Sequence, residues 1–161
     1  MAALYYEDLV PGRVFVSAPR TLTEADLLQF AAVSGDRHPI HTDEAYAKQT
    51  PFGRRILHGP FGIAMAIGLF GEVGDFESTA IALLDIRDWQ FLAPMFIGDA
   101  IHLEMTIGEC HRTRDGRRGI VDRVMKLIRQ DGVVVQQGHA GLMIACRDVV
   151  NPTMAAQDKG A

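Results

Sequence analysis

The sequence predicts an α+β domain in which an antiparallel sheet wraps one long buried helix. Three observations carry that reading. The run from Ile56 to Phe70 is apolar on nearly every side, the composition of a helix covered over most of its surface. Four β-rich runs follow it, Ile81 to Phe91, Ala100 to Cys110, Ile120 to Arg129 and Val133 to Cys146, with turn pairs at Gly98-Asp99, Asp115-Gly116 and Asp131-Gly132. Asp-Gly between two such runs is a strong hairpin signal, because the glycine accepts the positive φ of a tight turn. Helices precede strands, so a helical first half covered by a sequential antiparallel meander is expected.

Tyr5 to Pro11 reads as an arm, and Gly12 to Ser17 has the β-branched and aromatic content of a first strand. Thr23-Glu24-Ala25-Asp26 opens a helix: the hydroxyl caps an orphan N–H, and Asp26 sits where the helix dipole favours an anion. Leu27, Leu28, Phe30, Ala31 and Val33 give that helix an apolar face, and it is expected to end near Val33. Thr42 to Lys48 reads as a short capped helix, and Thr50 to Arg55 as a loop. Pro60 suits a first helical position, which sets the start of the long helix at or beside Gly59. Its small residues, Gly62, Ala64, Ala66 and Gly68, cost helix propensity, and close approach of a sheet or another backbone is the expected return.

With 161 residues, 48% hydrophobic, the chain suits one core, so residues 1–150 are expected to form a single domain with a loose tail over 151–161. A net charge of −4 argues against a dedicated nucleic-acid surface. Cys110 and Cys146 lie in apolar runs without CxxC spacing and read as small buried hydrophobes in a reducing compartment. The N-terminal residues lack a basic region followed by a long apolar one, and the apolar run Pro60 to Gly71 falls short of a membrane span. A cytoplasmic protein without membrane partners is the expectation.

The chemistry is expected in Ser34-Gly35-Asp36-Arg37-His38-Pro39-Ile40-His41, which packs a carboxylate and two imidazoles into six residues. Gly35 frees the backbone and Pro39 fixes a φ angle, so the loop should be bent and stiff. On composition alone, turn chemistry and a surface or satisfied core histidine describe it better than proton transfer does. His58 reads as a satisfied core histidine or a donor behind the catalytic pair, while His102, His111 and His139 show no converging spacing. No metal is expected, since Pro39 interrupts His38 and His41 and no HExxH helix is present.

Gly35-Asp36-Arg37-His38-Pro39-Ile40-His41, with Thr42 to Ala47, His58-Gly59, Phe91-Leu92-Ala93-Pro94 and Gly98-Asp99, resembles the MaoC-like family of (R)-specific enoyl-CoA hydratases and dehydratases. The match runs roughly from Thr21 to Cys146, and its motif has the form G-D-x-N-P-(L/I/V)-H. The resemblance implies a hot-dog fold and a homodimer or higher oligomer with the acyl chain near the subunit interface. It also implies reversible hydration of trans-2-enoyl-CoA thioesters, with coenzyme A as part of the substrate and no separate cofactor. Asp36 and His41 become the catalytic pair, Gly59 the backbone donor to the thioester oxygen, and His38, Pro39 and His58 the support. His38 stands where the family has Asn. Arg112, Arg114, Arg117 and Arg118 are weaker candidates for the coenzyme A phosphates. The competing readings are a hot-dog acyl-CoA thioesterase and a non-catalytic acyl-CoA-binding subunit.

Overall fold

A computed structural model describes residues 2–147, so the tail expected over 151–161 lies outside the described residues. After a single 3₁₀ turn at Tyr6–Asp8, the elements are β1 (Val14–Val16), β2 (Arg20–Thr21), α1 (Glu24–Ser34), α2 (Pro39–Thr42), α3 (Glu44–Ala47), α4 (Gly59–Phe70), β3 (Ala80–Phe91), β4 (Ala100–Arg112), β5 (Arg118–Arg129) and β6 (Val134–Ala145). The strands form one six-stranded antiparallel sheet around α4, the arrangement of a hot-dog fold.

The order along the sheet is β1-β4-β5-β6-β3, with β2 also on β4. Here the expected meander needs correction. β4, β5 and β6 follow one another, but β3 pairs with β6 at the far edge and not with β4. The Gly98-Asp99 turn therefore ends a connection rather than a hairpin; its glycine has φ 94°. β2 was not anticipated, because two residues carry no periodicity. The expected helix at 42–48 is instead two short ones. His38 caps α2 through Nδ1, which accepts the Ile40 N–H at 3.2 Å, and Asp43 caps α3 by accepting the N–H groups of Ala45 and Tyr46. Prolines at first-turn positions are free of the clash they cause deeper in a helix, which moves the start back to Pro39.

α1 begins as expected, with a reciprocal capping box between Thr23 and Asp26, and ends at Ser34 with Gly35 left-handed at φ 76°. Leu27, Phe61, Met65, Ala66 and Leu69 from the helices meet Leu103, Met105, Met125, Leu127, Leu142 and Ile144 from the sheet in one apolar core. The long helix is less enclosed than its composition suggests, since Pro60, Ala64 and Gly68 face outward. Among the described residues, no helix is long and apolar enough to cross a membrane.

Candidate active site

Local rules bring the loop and the long helix together. The left-handed turn at Gly35 reverses the chain off α1, and the Asp36 carboxylate then accepts the backbone N–H of His38 at 3.1 Å. That bond is the largest cause holding the Asp36 carboxyl below the usual carboxylate range. Pro39 starts α2, which places His41 in its last turn and buries it, whereas the Asp36 side chain stays 54% exposed. His41 Nδ1 lies 2.8 Å from the Ile56 carbonyl oxygen. A carbonyl only accepts, so Nδ1 carries the proton and Nε2 of the neutral ring presents a lone pair. Burial is the main cause that lowers the His41 pKa from 6.5 and favours the neutral ring.

His41 Nε2 and Asp36 Oδ2 face each other at 3.9 Å. This gap is too long for a direct hydrogen bond and suits a bridging water that donates to both. His58 backs the pair. Its Nε2–H donates to the Asp36 carbonyl oxygen at 2.9 Å, and its ring stacks on His41 with centroids 3.7 Å apart and planes at 23°. His58 is thus a loop-holding donor, but only half satisfied: its Nδ1 is buried without a partner. Arg55 fixes the approach to α4 by bonding Glu24 at 2.6 Å and Glu44 at 3.2 Å, which joins α1 and α3 to it.

Gly59 opens α4, so its N–H has no acceptor within the helix and stands at the positive end of the helix dipole. Beside it lies an apolar pocket of about 350 Å³ lined by Phe52, Ile56, Gly59, Phe91, Met95 and Gln136 among others. Sequence reasoning did not single out Gln136, 77 residues from Gly59. Its Nε2 donates to the Gly59 carbonyl at 3.0 Å and its Oε1 accepts from Trp89 Nε1 at 3.0 Å. Its signal in the sequence is an amide in the alternation that also carries Ala140, Leu142 and Ile144, and the structure buries it on the inward row of β6 at 2% exposure.

Among the described residues, one group of three ligating side chains, Asp36, His41 and His58, brings donor atoms within 4.8 Å of one another. The two rings are stacked, so their in-plane lone pairs run side by side instead of converging, and His58 Nε2 is committed to a carbonyl. The set suits proton handling better than tetrahedral coordination. His38 takes no part, its Nδ1 being used as a cap. Arg112, Arg114, Arg117 and Arg118 are not gathered here. They flank the β4–β5 turn where Arg112 pairs with Gly119, whereas Gly59 sits by the opposite strand ends, Phe91 of β3 and Gln136 of β6. Arg112 bonds Glu7.

The chain is similar to known proteins over most of its length. Residues 8–127 match the family described as the MaoC like domain. The chain is 38% identical over 102 residues to Protein MaoC of Klebsiella aerogenes, a match covering 63% of this chain and 30% of that protein. It is 34% identical over 110 residues to a 3-hydroxybutyryl-CoA dehydratase of Methylorubrum extorquens, covering 68% of this chain and 67% of the relative. An unliganded R-hydratase from Pseudomonas aeruginosa superposes with a TM-score of 0.74 at 31% identity, over 89% of this chain and 86% of that one.

Proposed function

The chain belongs to the MaoC-like domain family, and from that premise we propose that it is a hydro-lyase adding water reversibly across the 2,3-double bond of trans-2-enoyl-CoA thioesters to give (R)-3-hydroxyacyl-CoA. The observation that carries the proposal is the meeting of Asp36 Oδ2 and His41 Nε2 across 3.9 Å beside the start of α4. An ionised carboxylate and a neutral imidazole both accept, so together they orient one water by its two O–H bonds. As the water oxygen bonds to C3, Asp36 takes its proton, while His41 holds the water and helps shuttle a proton to C2. Hydrogen and hydroxyl are added across the double bond with no net proton gained or lost.

Electron density moving onto the thioester oxygen during attack needs a fixed donor. The Gly59 N–H, with the α4 dipole behind it, serves as that donor, and the apolar pocket at Gly59 takes the acyl chain. Gln136 steadies this corner by tying the Gly59 carbonyl to Trp89. The active assembly is a homodimer or larger, in the cytoplasm; the apolar side chains left open on edge strand β3 support pairing with a second copy.

The test is incubation with crotonyl-CoA, following the enoyl absorbance and free thiol in parallel. Loss of absorbance without thiol is the expected result. Thiol release identifies a thioesterase, and binding with neither change identifies a non-catalytic acyl-CoA binder.

A further inference from the structure

His58 is a buried titratable group to which the hydration itself gives no step. It stands immediately before α4 and is 1% exposed. Its ring nitrogens fare unequally: Nε2–H donates to the Asp36 carbonyl at 2.9 Å, whereas Nδ1 is buried with no partner among the described residues. An acceptor shut away from water and left unmade is costly, so a nitrogen kept there needs a reason. Filling the core does not supply one, because a phenylalanine ring offers a similar face and carries no nitrogen. Holding the loop does not supply one either, because an amide side chain donates to a carbonyl without a ring.

The two contacts together do supply it. His41 is anchored at one point, its Nδ1–H on the Ile56 carbonyl at 2.8 Å, and a single hydrogen bond leaves the ring able to swivel. The face of His58, with centroids 3.7 Å apart and planes at 23°, fixes its plane. Phe30 packs on His58 in turn, 5.1 Å between centroids, and keeps that face in place. The same ring reaches the acid: its Nε2 lies 3.9 Å from Asp36 Oδ2, the distance at which His41 Nε2 also stands. Two stacked rings thus present Nε2 to one carboxylate oxygen, one as a donor to the loop and the other as an acceptor toward the water.

We infer that His58 is a positioning residue for the proposed hydration, its N–H holding Asp36 and its face holding His41 so that carboxylate and lone pair stay aimed at one water. The inference rests on the hydratase reading and adds to it the residue that keeps the pair aligned.

Two substitutions separate the two contacts. His58→Gln keeps a donor and loses the face; His58→Phe keeps the face and loses the donor. Each should lower kcat for crotonyl-CoA by about tenfold or more with KM within about threefold, since a misaimed pair loses more in the transition state than in binding. If His58 only fills the core, His58→Phe keeps the wild-type kcat, and that result overturns the proposal. Should His58→Gln fail to fold, the kcat of His58→Phe decides alone.

The titratable groups whose fields reach His41 are His58, Asp36 and His38, and burial is the main cause that holds it below 6.5. Water gains the His41 face in His58→Gln, so its titration, followed by NMR, and the acid limb of kcat/KM should both rise toward 6.5. In His58→Phe the face stays covered and the rise should be smaller. An equal rise in the two variants, or none in His58→Gln, overturns the role of the face. The NMR titration needs no turnover: a wild-type chain that leaves crotonyl-CoA unchanged refutes the hydratase reading, while the two titrations still decide whether His58 holds His41.

Discussion

At the scale of single residues, the site depends on who donates to whom. The His38 N–H pulls the Asp36 carboxyl down, and burial pulls His41 down, so protonation of either is disfavoured. Both shifts extend the working state toward acid. A kcat/KM profile is therefore expected to stay level through neutral pH and to fall only below 6.5, the ordinary histidine value; half-loss at or above that value contradicts the assignment. His38 replaces the motif's Asn, yet its Nδ1 accepts the Ile40 N–H as an Asn oxygen does in a turn. His38→Asn should leave turnover within a few-fold, and His38→Ala should lower stability by about 1 kcal/mol through the lost cap, measured by urea unfolding. Equal stability of all three proteins would show the cap to be idle.

At the scale of elements, the small residues of α4 serve different ends. A Cβ on Gly62 would lie 2.4 Å from the Gln136 amide, which Trp89 and Gly59 hold in place, whereas a Cβ on Gly68 meets nothing within 4 Å. Gly62→Ala should cost about 1–3 kcal/mol by overpacking and push Gln136 off the Gly59 carbonyl. Gly68→Ala should instead stabilise by up to about 1 kcal/mol, read as a rise in Tm. The opposite order would mean that the helix sits differently on the sheet. The sequence made α4 legible as a buried rod with a reason for its glycines, but not which glycine met what, because Gln136 arrives from a strand 74 positions later. Gln136 did leave a trace: it is polar on the inward alternation of a strand, a pattern that periodicity registers as noise unless its exceptions are followed.

At the scale of the molecule, local signals specified most strands, and topology decided where they went. Asp115-Gly116 and Asp131-Gly132 are true hairpin turns joining β4 to β5 and β5 to β6. β3 has no such turn to β4, and its place on β6 is set by non-local pairing that no dipeptide encodes. That placement leaves Ile81, Leu83, Leu84 and Ile86 exposed along an edge. Sedimentation should accordingly give at least twice the chain mass, and Leu84→Lys with Ile86→Lys should reduce it to one. A monomeric wild-type chain would refute the proposed assembly.

The loop's proton handlers carry the whole functional reading. Turnover of crotonyl-CoA by Asp36→Asn, in a protein whose fold and substrate binding match wild type, tests it most directly. Removal of the base should lower kcat by on the order of 10²-fold or more. Hydration at the wild-type rate would contradict it.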